Sequence, residues 1–162
     1  MSPVGTAESE KDMPHSYTSN LTHCVWSTKE RLKVIDSEMR PRLWAFVGGI
    51  ARQNGMRALA VGGIEDHVHV LLSLPANMSV SKAVQLIKGG SSKWVHETFP
   101  MRRTFAWQEG YGAFSVSVSH VDATVAYILA QEEHHKKRTF EEEFLSFLRK
   151  HGIEFDERFV WG

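Results

Sequence analysis

Two apolar, β-rich runs lie almost back to back in the middle of this chain. They are MRALAVGGI at residues 56–64 and DHVHVLLSL at residues 66–74, and each has the length and composition of a strand. The pattern therefore predicts a pair of central strands, and the remaining elements must pack around the sheet that contains them.

The flanking segments predict the rest of that sheet and its helices. Residues 17–26 are rich in β-branched and aromatic side chains, and residues 105–119 end in an alternating run, so both indicate strands. Residues 39–53 and 79–99 repeat apolar side chains at the spacing of an amphipathic helix. The order strand, helix, strand, strand, helix, strand is that of a ferredoxin-like unit, an antiparallel sheet with helices on one face.

Two further helices are predicted after this unit, one over residues 121–137 and a shorter one over residues 140–152. The fold class is therefore α+β, with an appended C-terminal helix that carries Tyr127. A chain of 162 residues fits one domain. We expect residues 1–14 to form a disordered leader and residues 15–162 to form the single domain.

Composition excludes a membrane protein. The charged share is 23% and the apolar share 42%, and no apolar run approaches the ~20 residues that a membrane span needs. The opening residues MSPVGTAESEKDMPH lack the basic and apolar regions of a secretory signal. We therefore expect a soluble, cytoplasmic protein, and the single cysteine, Cys24, agrees.

The formal net charge of zero does not favour a nucleic-acid partner, because such domains are usually basic. The charges are nevertheless unevenly placed. An acidic run occupies residues 141–143, whereas several cations lie earlier in the chain. These cations are Lys29, Arg31, Lys33, Lys82, Lys88, Lys93, Arg102 and Arg103.

The strongest local signal for chemistry is the His-x-His pattern in DHVHVLLSL. Side chains two apart on a strand point to the same face, so His67 and His69 can direct two imidazoles toward one ion while Val68 faces the core. The alternative is that both histidines are ordinary polar groups on a half-exposed strand.

The third predicted helix adds a polar stripe. At ~100° per residue, Gln131 and His134 lie within a roughly 60° arc of the stripe that includes Tyr127. Val125 and Leu129 turn the other way. The alternative is a solvated helix face without a function.

Several motifs occur together and in one order: TKER after a strand containing His23, DHVHVLL, IKGGSS, WQEGYGAFSVS, YILAQEEHHKK and HGIEFDERFVW. By these motifs the chain resembles the single-tyrosine transposases of small insertion sequences with hairpin ends, together with the REP-associated tyrosine transposases. The resemblance runs from about residue 15 to the last residue. Trp26 stands where phenylalanine is commoner in the family.

The resemblance implies a DNA transposase that works on single-stranded or hairpin DNA. It implies that His67 and His69 are the His-hydrophobic-His ligands of a divalent metal, Mg²⁺ or Mn²⁺, and that Tyr127 is the nucleophile. It also implies that Gln131 completes the metal site.

The adjacent pair His134 and His135 also matches, but the resemblance assigns neither of them a metal, so His134 is only an additional candidate site residue. Because the family usually joins two sheets edge to edge, we expect a homodimer. Whether Tyr127 acts within its own chain or across the dimer stays open at this point.

The chemistry can be followed without the family. A phenol with a pKa near ~10 is a poor nucleophile at neutral pH, so Tyr127 needs a base or a nearby cation. Its attack on a phosphodiester gives a 5′-phosphotyrosine and a free 3′-OH. One ester replaces another, so rejoining needs no nucleotide cofactor, and the sequence contains neither a Walker-type loop nor GxGxxG.

DNA contacts are expected from Lys82 and Lys93, which share one face of the second helix, and from Arg102 and Arg103 in the next loop. The alternative is ordinary surface charge. Two other functions stay open: a DNA-hairpin-binding protein descended from a transposase, and a metal-dependent phosphoesterase that uses water, with Tyr127 only structural.

Overall fold

Four strands form one antiparallel sheet in the computed structural model, which describes residues 16–161. The strands are β1 (Leu21–Ser27), β2 (Arg57–Ile64), β3 (His67–Ser73) and β4 (Gly112–Ser115). Their order in the sheet is β2-β3-β1-β4, and every neighbouring pair is antiparallel. The leader predicted over residues 1–14 lies outside the described residues.

Five α-helices accompany the sheet in the described part of the chain. They are α1 (Met39–Gln53), α2 (Val80–Thr98), α3 (Val121–Leu129), α4 (Gln131–His134) and α5 (Phe140–Lys150). The order β1-α1-β2-β3-α2-β4 confirms the α+β, ferredoxin-like fold predicted from the sequence.

One face of the sheet packs on α1 and α2. Because side chains alternate along a strand, Trp26, Val68 and Val70 all point to this face, where they meet Leu43 of α1 and Ile87 of α2. These five side chains are fully buried, and each large one contributes roughly 1.5–3 kcal/mol by leaving water. This is the main core.

The appended helices cover the opposite face. Phe140 and Phe144 of α5 pack against Val25 of β1, while Ile128 of α3 packs against Leu71 of β3. The N-terminus of α5 is fixed by a capping box between Thr139 and Glu142. The same alternation that sends Val68 into the main core therefore sends its neighbours His67 and His69 toward these helices.

The third predicted helix differs from the prediction, because it breaks at Ala130 into α3 and α4. Ala130 has φ −97° and ψ 18°, and the side-chain Nε2 of Gln131 donates to the backbone oxygen of Tyr127 at 3.3 Å. The same Tyr127 oxygen accepts from the backbone N–H of Ala130 at 3.3 Å, so a backbone donor and an amide side chain share it at the break.

Within residues 16–161, none of the helices combines the length and apolar character required to cross a membrane.

Candidate active site

His67 and His69 lie side by side on β3, fully buried, and their rings project from the same face of the sheet. The His67 Nε2 atom lies 3.0 Å from Oε1 of Gln131, and the His69 Nε2 atom lies 3.0 Å from Oε1 of Glu143. His135 joins them, because its Nε2 lies 2.9 Å from the same Gln131 oxygen. Residues from β3, α4, the turn after α4, and α5 therefore converge on one point.

The outward ring nitrogens of these histidines are held by other groups. His67 Nδ1 donates to a carboxylate oxygen of Asp66 at 2.8 Å, and His135 Nδ1 donates to the backbone oxygen of Arg138 at 2.6 Å. His69 Nδ1 lies 2.8 Å from Nε2 of His23. A ring that donates through Nδ1 presents the lone pair of Nε2 on its other side, so these contacts orient the rings as they are oriented in metal sites.

The donor set fits a divalent cation. Ligand atoms of His67, His69, His135 and Glu143 all lie within 4.8 Å of one another, and Oε1 of Gln131 faces the same point. Imidazole nitrogens and carboxylate or amide oxygens are all acceptors in this arrangement, and a group of buried acceptors needs a cation or a proton at its centre. The cluster can therefore bind a metal.

The charges of the site follow from its burial. Burial lowers the pKa of His67, but the hydrogen bonds that its ring donates to Asp66 and Glu143 outweigh this and raise the pKa to about 9. Burial lowers the pKa of His69 to about 4. Burial also acts to raise the pKa of Glu143, but the hydrogen bonds from His135, His67 and His69 hold it far below its usual range. An environment that keeps a proton on His67 favours a positive charge at this point.

Tyr127 of α3 lies against the same cluster. Its hydroxyl donates to Oε2 of Glu143 and lies 3.3 Å from Nε2 of His134. The ring is half-buried and packs edge-on against His69, with ring centroids 5.8 Å apart. Burial, followed by the negative charge of Glu143, raises the pKa of Tyr127 well above its usual value. The hydroxyl therefore holds its proton until a base removes it.

A glycine sets the position of the Tyr127 helix. Gly62 pairs with His69 across the β2–β3 ladder, and a Cβ atom built on it would clash with the backbone oxygen of Ile128 in α3. The absence of a side chain at Gly62 lets α3 lie directly on the edge strand next to the histidines.

Comparison with known proteins identifies the family. The sequence model of the family described as "Transposase IS200 like" matches residues 16–131. The chain belongs to the IS200-like transposases. This match includes His67, His69, Tyr127 and Gln131, but ends before Glu143.

Individual relatives of this IS200-like transposase are distant. The ISDra2 transposase TnpA of Deinococcus radiodurans is 29% identical over 85 residues, which cover 52% of this chain and 61% of that protein, less than two thirds of its length. The transposase for insertion sequence element IS200 of Salmonella typhimurium is 29% identical over 107 residues, covering 63% of this chain and 70% of that protein.

Two solved structures share the fold. A crystal structure of a transposase from Deinococcus radiodurans has a TM-score of 0.62 and 26% identity, and covers 71% of this chain and 92% of that one. A REP-associated tyrosine transposase bound to a REP hairpin has a TM-score of 0.55 and 13% identity, and covers 76% of this chain and 73% of that one. At 13% identity the second likeness concerns the fold alone.

A cleft of about 320 Å³ opens beside Tyr127 in the transposase. Tyr127 and Glu143 line it, together with three side chains that can carry positive charge: His120, Arg138 and Lys150. His120 and Lys150 are exposed, and Arg138 is partly buried. The cleft is therefore open to solvent on one side and lined by Tyr127 and by cations.

The cations predicted from the sequence to contact DNA lie elsewhere. Lys82 and Lys93 are exposed on α2, which packs on the face of the sheet opposite the histidines. Arg102 lies 3.4 Å from Asp36, and Arg103 is exposed in the same loop. None of the four predicted cations lines the cleft at Tyr127.

The sequence alone gives His135 no role and shows Glu143 only as part of an acidic run. Glu143 is 1% exposed. The available signal was its place on α5, where it falls three residues after Phe140 and four before Phe147, on the apolar side of the helix. A carboxylate on an apolar helix face indicates a buried partner.

Proposed function

We propose that this IS200-like transposase cuts and rejoins single-stranded DNA at hairpin-bearing ends through a covalent bond to Tyr127. The observation that carries the proposal is that the Tyr127 hydroxyl lies against the buried cluster around His67 and His69. A nucleophile beside a cation site is the arrangement that attack on a phosphodiester requires.

The proposed metal ligands are His67, His69 and Gln131, as the resemblance implies, with His135 added by its position. Mg²⁺ or Mn²⁺ bound there would orient the scissile phosphate and stabilise the charge that develops on its oxygens. The protein contributes rigid donors, since Asp66 and the backbone around His135 fix the rings before an ion arrives.

In the proposed reaction, the Tyr127 oxygen attacks the phosphorus of the scissile phosphodiester. The bond from phosphorus to the 3′ oxygen breaks, and the 3′ oxygen leaves with the electron pair to become a free 3′-OH. The product is a 5′-phosphotyrosine. Attack by another 3′-OH on this ester restores a DNA strand and frees the phenol, so the energy of the original bond is kept.

The cleft beside Tyr127 supports a single strand as the substrate. Arg138 and Lys150 can contact backbone phosphates on either side of the scissile one. Lys82 and Lys93, on the opposite side of the sheet, remain candidates for a more distant part of the DNA such as a hairpin stem. The REP-associated neighbour was solved bound to a REP hairpin, which agrees with this class of ligand.

The test uses a labelled single strand that carries its hairpin, with Mn²⁺. The wild-type protein should form an adduct that survives denaturing electrophoresis. Tyr127→Phe removes only the hydroxyl, so adduct and cleavage should both vanish while thermal unfolding still shows a folded protein. Tyr111→Phe is the matched control, because Tyr111 is 37% exposed and lies outside the cluster; this variant should form the adduct normally.

Other outcomes identify the alternatives. Cleavage without an adduct, retained in Tyr127→Phe, would indicate a phosphoesterase that uses water. A hairpin shifted in a native gel but never cut would indicate a binding protein that descends from a transposase. Peptide mapping of the adduct to Tyr17 or Tyr111, the other two of the three tyrosines, would refute the role of Tyr127.

A further inference from the structure

Glu143 is the most completely buried carboxylate around the cluster, at 1% exposure. It lies on α5 beyond residue 131, where the match to the family ends. A carboxylate in such a position is stable only if both of its oxygens have partners. The groups that contact its two oxygens therefore indicate the function of Glu143.

The two oxygens of Glu143 face different groups. Oε1 lies 3.4 Å from Nε2 of His67, 3.0 Å from Nε2 of His69 and 3.3 Å from Nε2 of His135. Oε2 accepts a hydrogen bond from the hydroxyl of Tyr127. One carboxylate thus spans the candidate metal point and the nucleophile.

We propose that Glu143 has two functions in the reaction: Oε1 is a metal ligand and Oε2 is the base that removes the proton from Tyr127. This inference rests on the function proposed above. Within residues 16–161, Oε2 of Glu143 is the carboxylate oxygen that accepts the hydrogen bond of the Tyr127 hydroxyl. The other polar atom near this hydroxyl is Nε2 of His134, at 3.3 Å.

The proton is accounted for at each step. Bond formation to phosphorus withdraws electron density from the Tyr127 oxygen and makes its proton strongly acidic, so the proton moves to Oε2 of Glu143 as the bond forms, although this carboxylate is a weak base. The 3′ oxygen leaves with the electron pair of the broken bond and takes a proton from water. When a 3′-OH later attacks the phosphotyrosine, it gives its proton to water, and the departing phenolate oxygen recovers a proton from Glu143. Glu143 is therefore base in cleavage and acid in rejoining.

Glu143→Gln separates the two functions. The amide keeps an oxygen for the metal but offers an NH₂ group to Tyr127, and an amide cannot accept the phenol proton. We expect Mn²⁺ affinity, measured by calorimetry without DNA, to fall by no more than about 10- to 100-fold. At saturating Mn²⁺, the rate of adduct formation should fall by roughly 100- to 10,000-fold, the usual contribution of a positioned base.

Two companion variants complete the experiment. Glu143→Ala removes both oxygens and should lose Mn²⁺ affinity more strongly than Glu143→Gln. Glu133→Gln is the matched control, because it removes one negative charge from an exposed residue of α4 that pairs only with Lys136; its Mn²⁺ affinity and adduct rate should equal those of the wild type.

Thermal unfolding is measured first for every variant. If Glu143→Gln does not fold, Glu143→Asp replaces it, since the shorter side chain keeps the negative charge but draws the carboxylate back from Tyr127, so adduct formation should slow. A folded Glu143→Gln variant that forms the adduct within about threefold of the wild-type rate at saturating Mn²⁺ would refute the role of Glu143 as the base. Unchanged Mn²⁺ affinity in Glu143→Ala would refute the role of Glu143 as a metal ligand.

Failure of the roles proposed for Glu143 can be distinguished from failure of the proposed function. If the wild-type protein forms no adduct with any hairpin strand, the transposase mechanism fails, whereas the calorimetric comparison of Glu143→Ala with the wild type still decides whether Glu143 binds metal.

Discussion

Replacing Gly62 by alanine should misplace Tyr127 without unfolding the protein. The added Cβ atom would lie 2.3 Å from the backbone oxygen of Ile128. Ordinary van der Waals contact begins at 3.4 Å, so the two atoms would be about 1 Å too close. Because the obstacle is backbone and not a flexible side chain, either α3 or the edge strand β2 must move by about that distance. Ile128 is the residue next to Tyr127, so the hydroxyl moves with it.

The size of the effect follows from this displacement. A misplacement of about 1 Å at a reacting group can lower a rate by ~100-fold, and forcing an extra methyl group into a packed site destabilises a protein by about 1–3 kcal/mol. We therefore expect Gly62→Ala to form the phosphotyrosine adduct about 100 times more slowly at saturating Mn²⁺ while keeping a cooperative unfolding transition.

The matched control is Gly48→Ala in α1, where nothing lies within 4 Å of the added atom. Alanine is favoured over glycine in a helix by roughly 0.5–1 kcal/mol, so this variant should be slightly more stable and fully active. An adduct rate in Gly62→Ala equal to that of the wild type would show that the Gly62 contact does not set the position of Tyr127.

Three further predictions concern the cluster and the assembly. Replacing His67 and His69 together by alanine should abolish the increase in melting temperature produced by Mn²⁺, together with cleavage, and a double variant that still cuts at the wild-type rate would refute the metal assignment. In the metal-free protein, burial holds the pKa of His69 at about 4 and that of His23 at about 3, both below the usual 6.5. The stabilising contribution of the two neutral rings is therefore present above pH 6.5. It is lost as the pH falls from 6.5 toward these values. Each should remove about 1.4 kcal/mol per pH unit from the free energy of unfolding, and denaturant titrations that give equal stability at pH 7 and pH 5 would contradict this. Light scattering at tens of micromolar should show a homodimer, and a monomer would contradict this expectation. Mixing Tyr127→Phe with the double histidine variant should not restore the adduct, because Tyr127 contacts the cluster of its own chain. A restored adduct would show that Tyr127 acts across the dimer.

Periodicity made the sheet and the histidine pair predictable. The strand period of two forces His67 and His69 onto one face whenever Val68 is in the core, and the main core confirms that Val68 is buried. The amphipathic spacing of residues 39–53 and 79–99 likewise predicted the two helices that cover that core. These features depend on neighbours in sequence, which a single chain displays directly.

The remaining parts of the site depend on distant neighbours. The break at Ala130 leaves no mark in the sequence, because alanine favours a helix and the bond from the Gln131 side chain to the backbone of Tyr127 is visible only in the structure. The acidic run alone does not reveal the role of Glu143, because its partner His69 is 74 residues away. The resemblance assigns Glu143 no role either, and the family model matches only residues 16–131.

The position of Glu143 on α5 also makes the proposed activity depend on that helix. The four strands and Tyr127 are complete well before α5 has been synthesised, but α5 supplies Glu143 and places the ring of Phe140 4.8 Å from that of His67. With Glu143 in the role proposed above, a nascent or prematurely terminated chain carries a nucleophile that it cannot deprotonate. Under that proposal, synthesis of α5 is a requirement for DNA cleavage and not only for packing of the sheet.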